Sequence, residues 1–219
     1  DVLTCTASGA NDPDDDPISW SIGWRVDDIP LPNTGPMLSG ADFDKGQSII
    51  CEATPSDGSA TGPTVSSAPV FVANSAPTLV AAQLSANSMT RLDTLECSAQ
   101  GLADLDPADS PAATFEWISA GENVGNEATL SGAGLAVGAA VVCTATPTDG
   151  SDVGAPATST PATVVNLAPT VDSVSVVPES PVLTDGLTCM VTASDPEGDA
   201  LEKEWRWHLG DLTLTQQTD

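Results

Sequence analysis

Apolar and polar residues alternate along short stretches of this chain. Leu3, Cys5 and Ala7 share one side of a would-be strand, as do Leu95, Cys97 and Ala99, and Leu187, Cys189 and Val191. Ile49, Cys51 and Ala53 repeat the pattern, and so do Val141, Cys143 and Ala145. Apolar or small residues at i, i+2 and i+4 mark half-buried strands. Trp20, Ile22 and Trp24 also alternate, which predicts a core face for all three; sugar stacking is the alternative for Trp20. No long stretch carries a helical period. The pattern predicts an all-β protein.

The strands recur in a fixed register. The five cysteines, Cys5, Cys51, Cys97, Cys143 and Cys189, are each 46 residues apart. Longer matches fall 92 apart: Leu38-Ser39-Gly40-Ala41 with Leu130-Ser131-Gly132-Ala133, Thr54-Pro55 with Thr146-Pro147, and Asp57-Gly58-Ser59 with Asp149-Gly150-Ser151. Asn74 and Ala76-Pro77-Thr78 return as Asn166 and Ala168-Pro169-Thr170. Self-similarity at a fixed period signals a repeat architecture. It predicts three sections, 1–75, 76–167 and 168–219, the first without its opening strand and the third only a beginning. Proline in the junctions restricts its own φ and the residue before it, so the hinges should be semi-rigid.

Within each section a tryptophan follows the first cysteine: Trp24 after Cys5, Trp117 after Cys97 and Trp207 after Cys189. Cysteine, tryptophan, cysteine in this order resembles the immunoglobulin-like sandwich. The stretches TDGLTCMVTASDPEGDALEKEWRW and VVCTATPTDGSDVGAPATSTPATVVNLAPT look like tandem Ig-like, PKD-like or cadherin-like repeats of large bacterial surface proteins. Ig domains often carry a tyrosine two residues before the second cysteine. Here those positions are Ile49 and Val141, which favours a bacterial Ig-like variant. The resemblance implies tandem immunoglobulin-like β-sandwich domains with a 92-residue repeat, bridges Cys5–Cys51 and Cys97–Cys143, and Cys189 unpaired. Its partner is expected 46 residues further on, so the sequence reads as a window from a longer array. Persistent bridges imply an oxidising, extracellular setting, secreted or at the cell surface.

Each section also has an acidic loop between its first cysteine and its tryptophan. The loops contain Asp12, Asp14 and Asp16; Asp104, Asp106 and Asp109; and Asp195, Glu197 and Asp199. In an Ig sandwich the loop after the second cysteine lies at the same end. Asp57 can then join the first cluster and Asp149 the second. Alternating carboxylates on a turn suit Ca2+, which takes six to eight oxygens. The Asp-Pro-Glu-Gly-Asp run resembles the calcium loops of cadherin-like and PKD-like repeats. Asp also favours plain turns by local hydrogen bonding.

Composition narrows the function. The net charge is −26 with five Lys and Arg residues, which excludes nucleic acid, since phosphate binding needs clustered cations. No stretch approaches the ~20 apolar residues of a membrane span. With one histidine, His208, placed on a strand beside Trp207, and no CxxC, neither a catalytic triad nor a zinc site is expected, and the chain is not read as an enzyme. The sequence therefore reads as a structural or adhesive extracellular repeat protein, a stalk or fibre segment stiffened by disulfides and calcium. The alternatives are a subunit of a polymeric filament, and glycan-binding accessory modules of a secreted enzyme. Its expected partners are neighbouring repeats, copies of itself, or a surface glycan or protein.

Overall fold

The computed structural model describes residues 2–218, with side chains as far as Thr213. The described residues form strands and turns, with no helix. None of it therefore offers a helix long and apolar enough to cross a membrane. By contacts the chain forms two compact units, Asp1–Val80 with Ala99–Thr114 and Thr146–Ala157, and Ala81–Ser98 with Phe115–Ala145 and Thr158–Asp219.

The first section is a sandwich of two sheets. Val2–Thr4 pairs antiparallel with Met37–Ser39. The facing sheet runs Ile29–Thr34, Ser19–Val26, Ser48–Ser56 and Val65–Ser66, with Val70–Phe71 also on Ser48–Ser56. Period-two alternation puts Cys5, Ile22, Trp24, Val26, Leu38, Ile49 and Cys51 between the sheets. The middle section repeats this with extra strands. Thr129–Ser131, Thr94–Gln100 and Ala81–Leu84 form one sheet; Glu122–Gly125, Ala112–Ser119, Ala140–Thr148, Ala162–Val164 and Ser88–Met89 form the other, with Ala157–Thr158 also on Ala140–Thr148. Ser88–Met89 lies parallel to Ala162–Val164 and closes that edge. In the third section Thr170–Val177 pairs with Thr188–Ser194, and Glu204–Leu209 with Leu212–Thr218. This sheet order is that of immunoglobulin-like β-sandwiches.

A disulfide joins the two sheets in each of the first two sections, Cys5–Cys51 and Cys97–Cys143, while Cys189 is free. Trp24 and Trp117 pack between the sheets, and their indole N–H groups are satisfied. Trp24 Nε1 donates to the Gly35 carbonyl at 2.9 Å and Trp117 Nε1 to that of Glu127 at 2.8 Å. All three sections slip register beside the tryptophan: between Gly23 and Arg25, Trp117 and Ile118, and Trp207 and His208. Such bulges bend a strand and strengthen its twist.

One expectation is corrected. Trp20 shares its strand with Trp24 but is 37% exposed, because no neighbouring strand covers that end of the first sandwich. His208 is an exposed strand residue, within 3.3 Å of the Thr213 hydroxyl.

Each bridge closes a separation of 46 residues, which restricts the unfolded chain. Replacing Cys97 and Cys143 together by alanine is expected to cost roughly 4 kcal/mol in the chain-entropy picture. Denaturant midpoints measure it, and an unchanged midpoint contradicts the assignment.

Candidate functional site

The acidic loops are built alike. The opening aspartate turns its carboxylate back onto the chain. Asp12 Oδ1 accepts from Asp14 N, Asp104 Oδ1 from Asp106 N, and Asp195 Oδ1 from Glu197 N, each at 2.8 Å. This local bond fixes the turn and points the following carboxylates away from it.

In the middle and third sections those carboxylates meet a cation from the section before. The Lys45 ammonium donates to Asp109 Oδ2. It also donates to Asn74 Oδ1 at 2.9 Å. Ser75 N donates to Asp106 Oδ2 at 2.7 Å, which satisfies a buried carboxylate. At the next junction the Arg91 guanidinium takes the ammonium's place. It bonds Asp199 Oδ2 and lies 3.3 Å from Glu197 Oε2. Arg91 also lies 3.4 Å from Asn166 Oδ1, while Leu167 N donates to Glu197 Oε2 at 2.8 Å. Arg91 N donates to Glu197 Oε1 at 2.8 Å, leaving the Glu197 side chain wholly enclosed.

The two junctions therefore use one plan. Asn74 and Asn166, 92 residues apart, each present Oδ1 to the cation. The next residue's N–H takes the loop's central carboxylate. The cation takes its outer one. The Asn74 amide adds bonds to Asp149 Oδ2 at 2.8 Å and Asp152 Oδ2 at 2.7 Å.

The electrostatics follow this geometry. The Asn74 amide and the turn's own N–H groups hold Asp149 down at about 2. Leu167 N–H first, then Arg91, hold Glu197 below the usual carboxylate range. The bond to Asp109 raises Lys45, and Asp199 followed by Glu197 raises Arg91.

The sequence-predicted residues fare unequally. Asp104, Asp106 and Asp109 converge, one oxygen from each lying within 4.8 Å of the others, and Asp104 Oδ2 is buried without a hydrogen-bond partner. Among the described residues this is the one group of three carboxylates placed to share an ion. Asp149 is tied to Asn74 and is not part of that group. Asp12, Asp14, Asp16 and Asp57 form no such group; Asp57 Oδ1 caps its own turn through Ser59 N and Ala60 N. Asp195, Glu197 and Asp199 meet donors from Arg91, Leu167 and their own loop. Lys45, Arg91, Asn74 and Asn166 were not singled out as site residues. The asparagines were visible as repeat identities. The cations do not repeat, since Val137 and Leu183 stand 92 residues after them.

No family model matches the chain, and no curated protein is significantly similar to it in sequence. The FN1–FN3 domains of chicken CNTN1 match in structure at 10% identity and a TM-score of 0.30, over 94% of this chain and 77% of that one. Similarity at that level leaves the fold to be argued from the sheet order alone.

The depressed carboxylates set a pH dependence. Asp149, held at about 2 against an ordinary value of 3.8, contributes stability that is complete above about pH 4 and lost as pH falls through about 2. Asn74→Ala is expected to raise the Asp149 value toward 3.8, read by NMR titration of its carboxyl carbon. No movement contradicts the bond.

Proposed function

We propose that this chain is a structural segment of an extracellular repeat protein, a stalk or fibre spacer with no catalysis of its own. Its working parts are the junctions. The observation that supports this reading is the shared plan, in which each junction spends one of the chain's five basic residues on the acidic loop of the next section. A cation held by an asparagine and one carboxylate, as Lys45 is, or two, as Arg91 is, resists bending more than a proline hinge does alone. Opening this junction would exchange for water the bonds that Glu197 accepts from Arg91 and from the Leu167 N–H, and charge-assisted bonds of this kind favour the closed state. Disulfide-closed sandwiches belong to oxidising compartments, which supports a secreted or cell-surface location. Spacing a binding part away from a surface needs stiff units more than it needs a pocket.

The distance across the first junction tests this. Spin labels at Ser66 and Ser151, in a Cys189→Ser background, are expected to give one narrow distance distribution. Lys45→Met with Asn74→Ala should broaden it. Equal widths in both proteins contradict the clamp.

Calcium is retained as a second ligand of the middle loop only, because of the partnerless Asp104 Oδ2 beside Asp106 and Asp109. In the third loop Arg91 meets both Glu197 and Asp199, whereas in the middle loop Lys45 meets Asp109 alone. Calorimetric titration is expected to show one weak site, with Kd on the order of 10⁻⁴–10⁻³ M as in extracellular modules, and Asp104→Asn should remove it. No binding heat up to about 10 mM calcium contradicts it.

A further inference from the structure

The first junction holds both halves of a latent reaction. Asn74 Oδ1 accepts from the Lys45 ammonium at 2.9 Å, and both residues belong to the first section. Asn74 Nδ2 donates to Asp149 Oδ2 at 2.8 Å and Asp152 Oδ2 at 2.7 Å, both from the middle section. The next backbone nitrogen is held too. Ser75 N–H donates to Asp106 Oδ2 at 2.7 Å, and Asp106 is 8% exposed. An asparagine followed by a small residue can react with its own chain. The following backbone nitrogen attacks the side-chain Cγ and closes a five-membered ring.

The closed junction withholds the nucleophile and leaves the electrophile activated. To attack, the Ser75 nitrogen must shed its proton, which the enclosed Asp106 carboxylate binds. A negative nitrogen forming beside that carboxylate would meet like charge, which disfavours it. The same bond keeps the nitrogen from swinging onto Cγ. Lys45, in contrast, draws charge out of the Asn74 carbonyl. If the junction opens, Asp106, Asp149 and Asp152 leave with the middle section, while Lys45 stays with Asn74. Opening therefore frees the nucleophile and keeps the activator. The second junction is not poised in this way, since the larger Leu167 follows Asn166 and crowds the attacking nitrogen.

We propose that Asn74 is a deamidation site gated by the first junction, so that a junction held open is converted into one that no longer closes. The Ser75 nitrogen loses its proton to solvent and bonds to Asn74 Cγ. The Cγ–Nδ2 bond breaks, and the nitrogen leaves as ammonia with a proton regained from solvent. Water then opens the cyclic imide at either carbonyl, leaving an aspartate or an isoaspartate at position 74. No electron transfer is involved, and water is the one co-reactant. The aspartate product sets a third carboxylate against Asp149 and Asp152 where two hydrogen bonds stood. The isoaspartate product adds a methylene to the backbone just before Ser75 and moves its N–H off Asp106. This goes beyond the spacer reading, which needs no gate at Asn74 and survives if the gate fails.

Incubation of the whole chain in mildly alkaline buffer, followed by peptide mapping in a mass spectrometer, tests the proposal. A synthetic peptide of residues 70–80 gives the ungated rate. Asn87-Ser88, the same dipeptide elsewhere in the chain and exposed, is the internal reference. Asn74 in the whole chain is expected to lose its amide at least about tenfold more slowly than in the peptide, as for a reaction that proceeds through local opening. Asp106→Ala should speed the loss at Asn74 and leave Asn87 unchanged. Adding Lys45→Met to Asp106→Ala should slow it again. Asn74 reacting at the peptide rate in the unaltered chain overturns the gate, and so does an Asp106→Ala rate equal to that of the unaltered chain. A rise at Asn87 as well marks unfolding. Asp109→Asn, which loosens the same junction at a half-buried side chain, then decides, and no rise at Asn74 in that variant overturns the proposal. Asn74→Asp, read by the spin-label distance across the junction, should give the broad distribution of an open clamp; a narrow one contradicts the loss of closure.

Discussion

A carboxylate withdrawn from water must find donors, and this chain has few cations to offer. That shortage shapes the structure. With 31 acidic residues against five basic ones, most carboxylates stay in solvent or turn back onto their own backbone. At the junctions the enclosed Asp106 and Glu197 are satisfied by backbone N–H groups, and Glu197 also by Arg91, while Asp104 Oδ2 alone among the buried carboxylate oxygens of the described residues is left without a partner. Leaving such a group without donors costs more than a typical hydrogen bond gains. Opening a junction exchanges these charge-assisted bonds for bonds to water.

The sandwiches supply the frame for that arrangement. Alternating side chains bury Trp24 and Trp117 between sheets, and the disulfides hold the sheets together. The strands then deliver the acidic loops and the Asp-Gly turns to one end. The asparagine at the end of one section and the loop of the next meet there because the connection is only a few residues long. The proposed stiffness rests on short connections plus satisfied charges.

Much of the fold was legible in the sequence. Leu38 and Leu130, Ile49 and Val141, and both bridged cysteine pairs fall in core positions that period two and the 92-residue register already marked. Trp20 was misread, because alternation reports which face a side chain occupies and not whether a neighbouring strand covers it. The site was half legible. Acidic loops and junction asparagines stood out as repeats. Lys45 and Arg91 did not, since they come from two different loops and only tertiary structure places both at a junction. A pattern search finds what recurs; here the recurring role is filled by non-recurring residues.

The most direct measurement of this account is a double-mutant cycle across the first junction. Lys45→Met, Asp109→Asn and the double variant are compared by denaturant midpoint in low and high salt. The clamp predicts that the double variant loses clearly less than the sum of the two single losses, with the coupling weakened by salt. Additive losses, unchanged by salt, would contradict it.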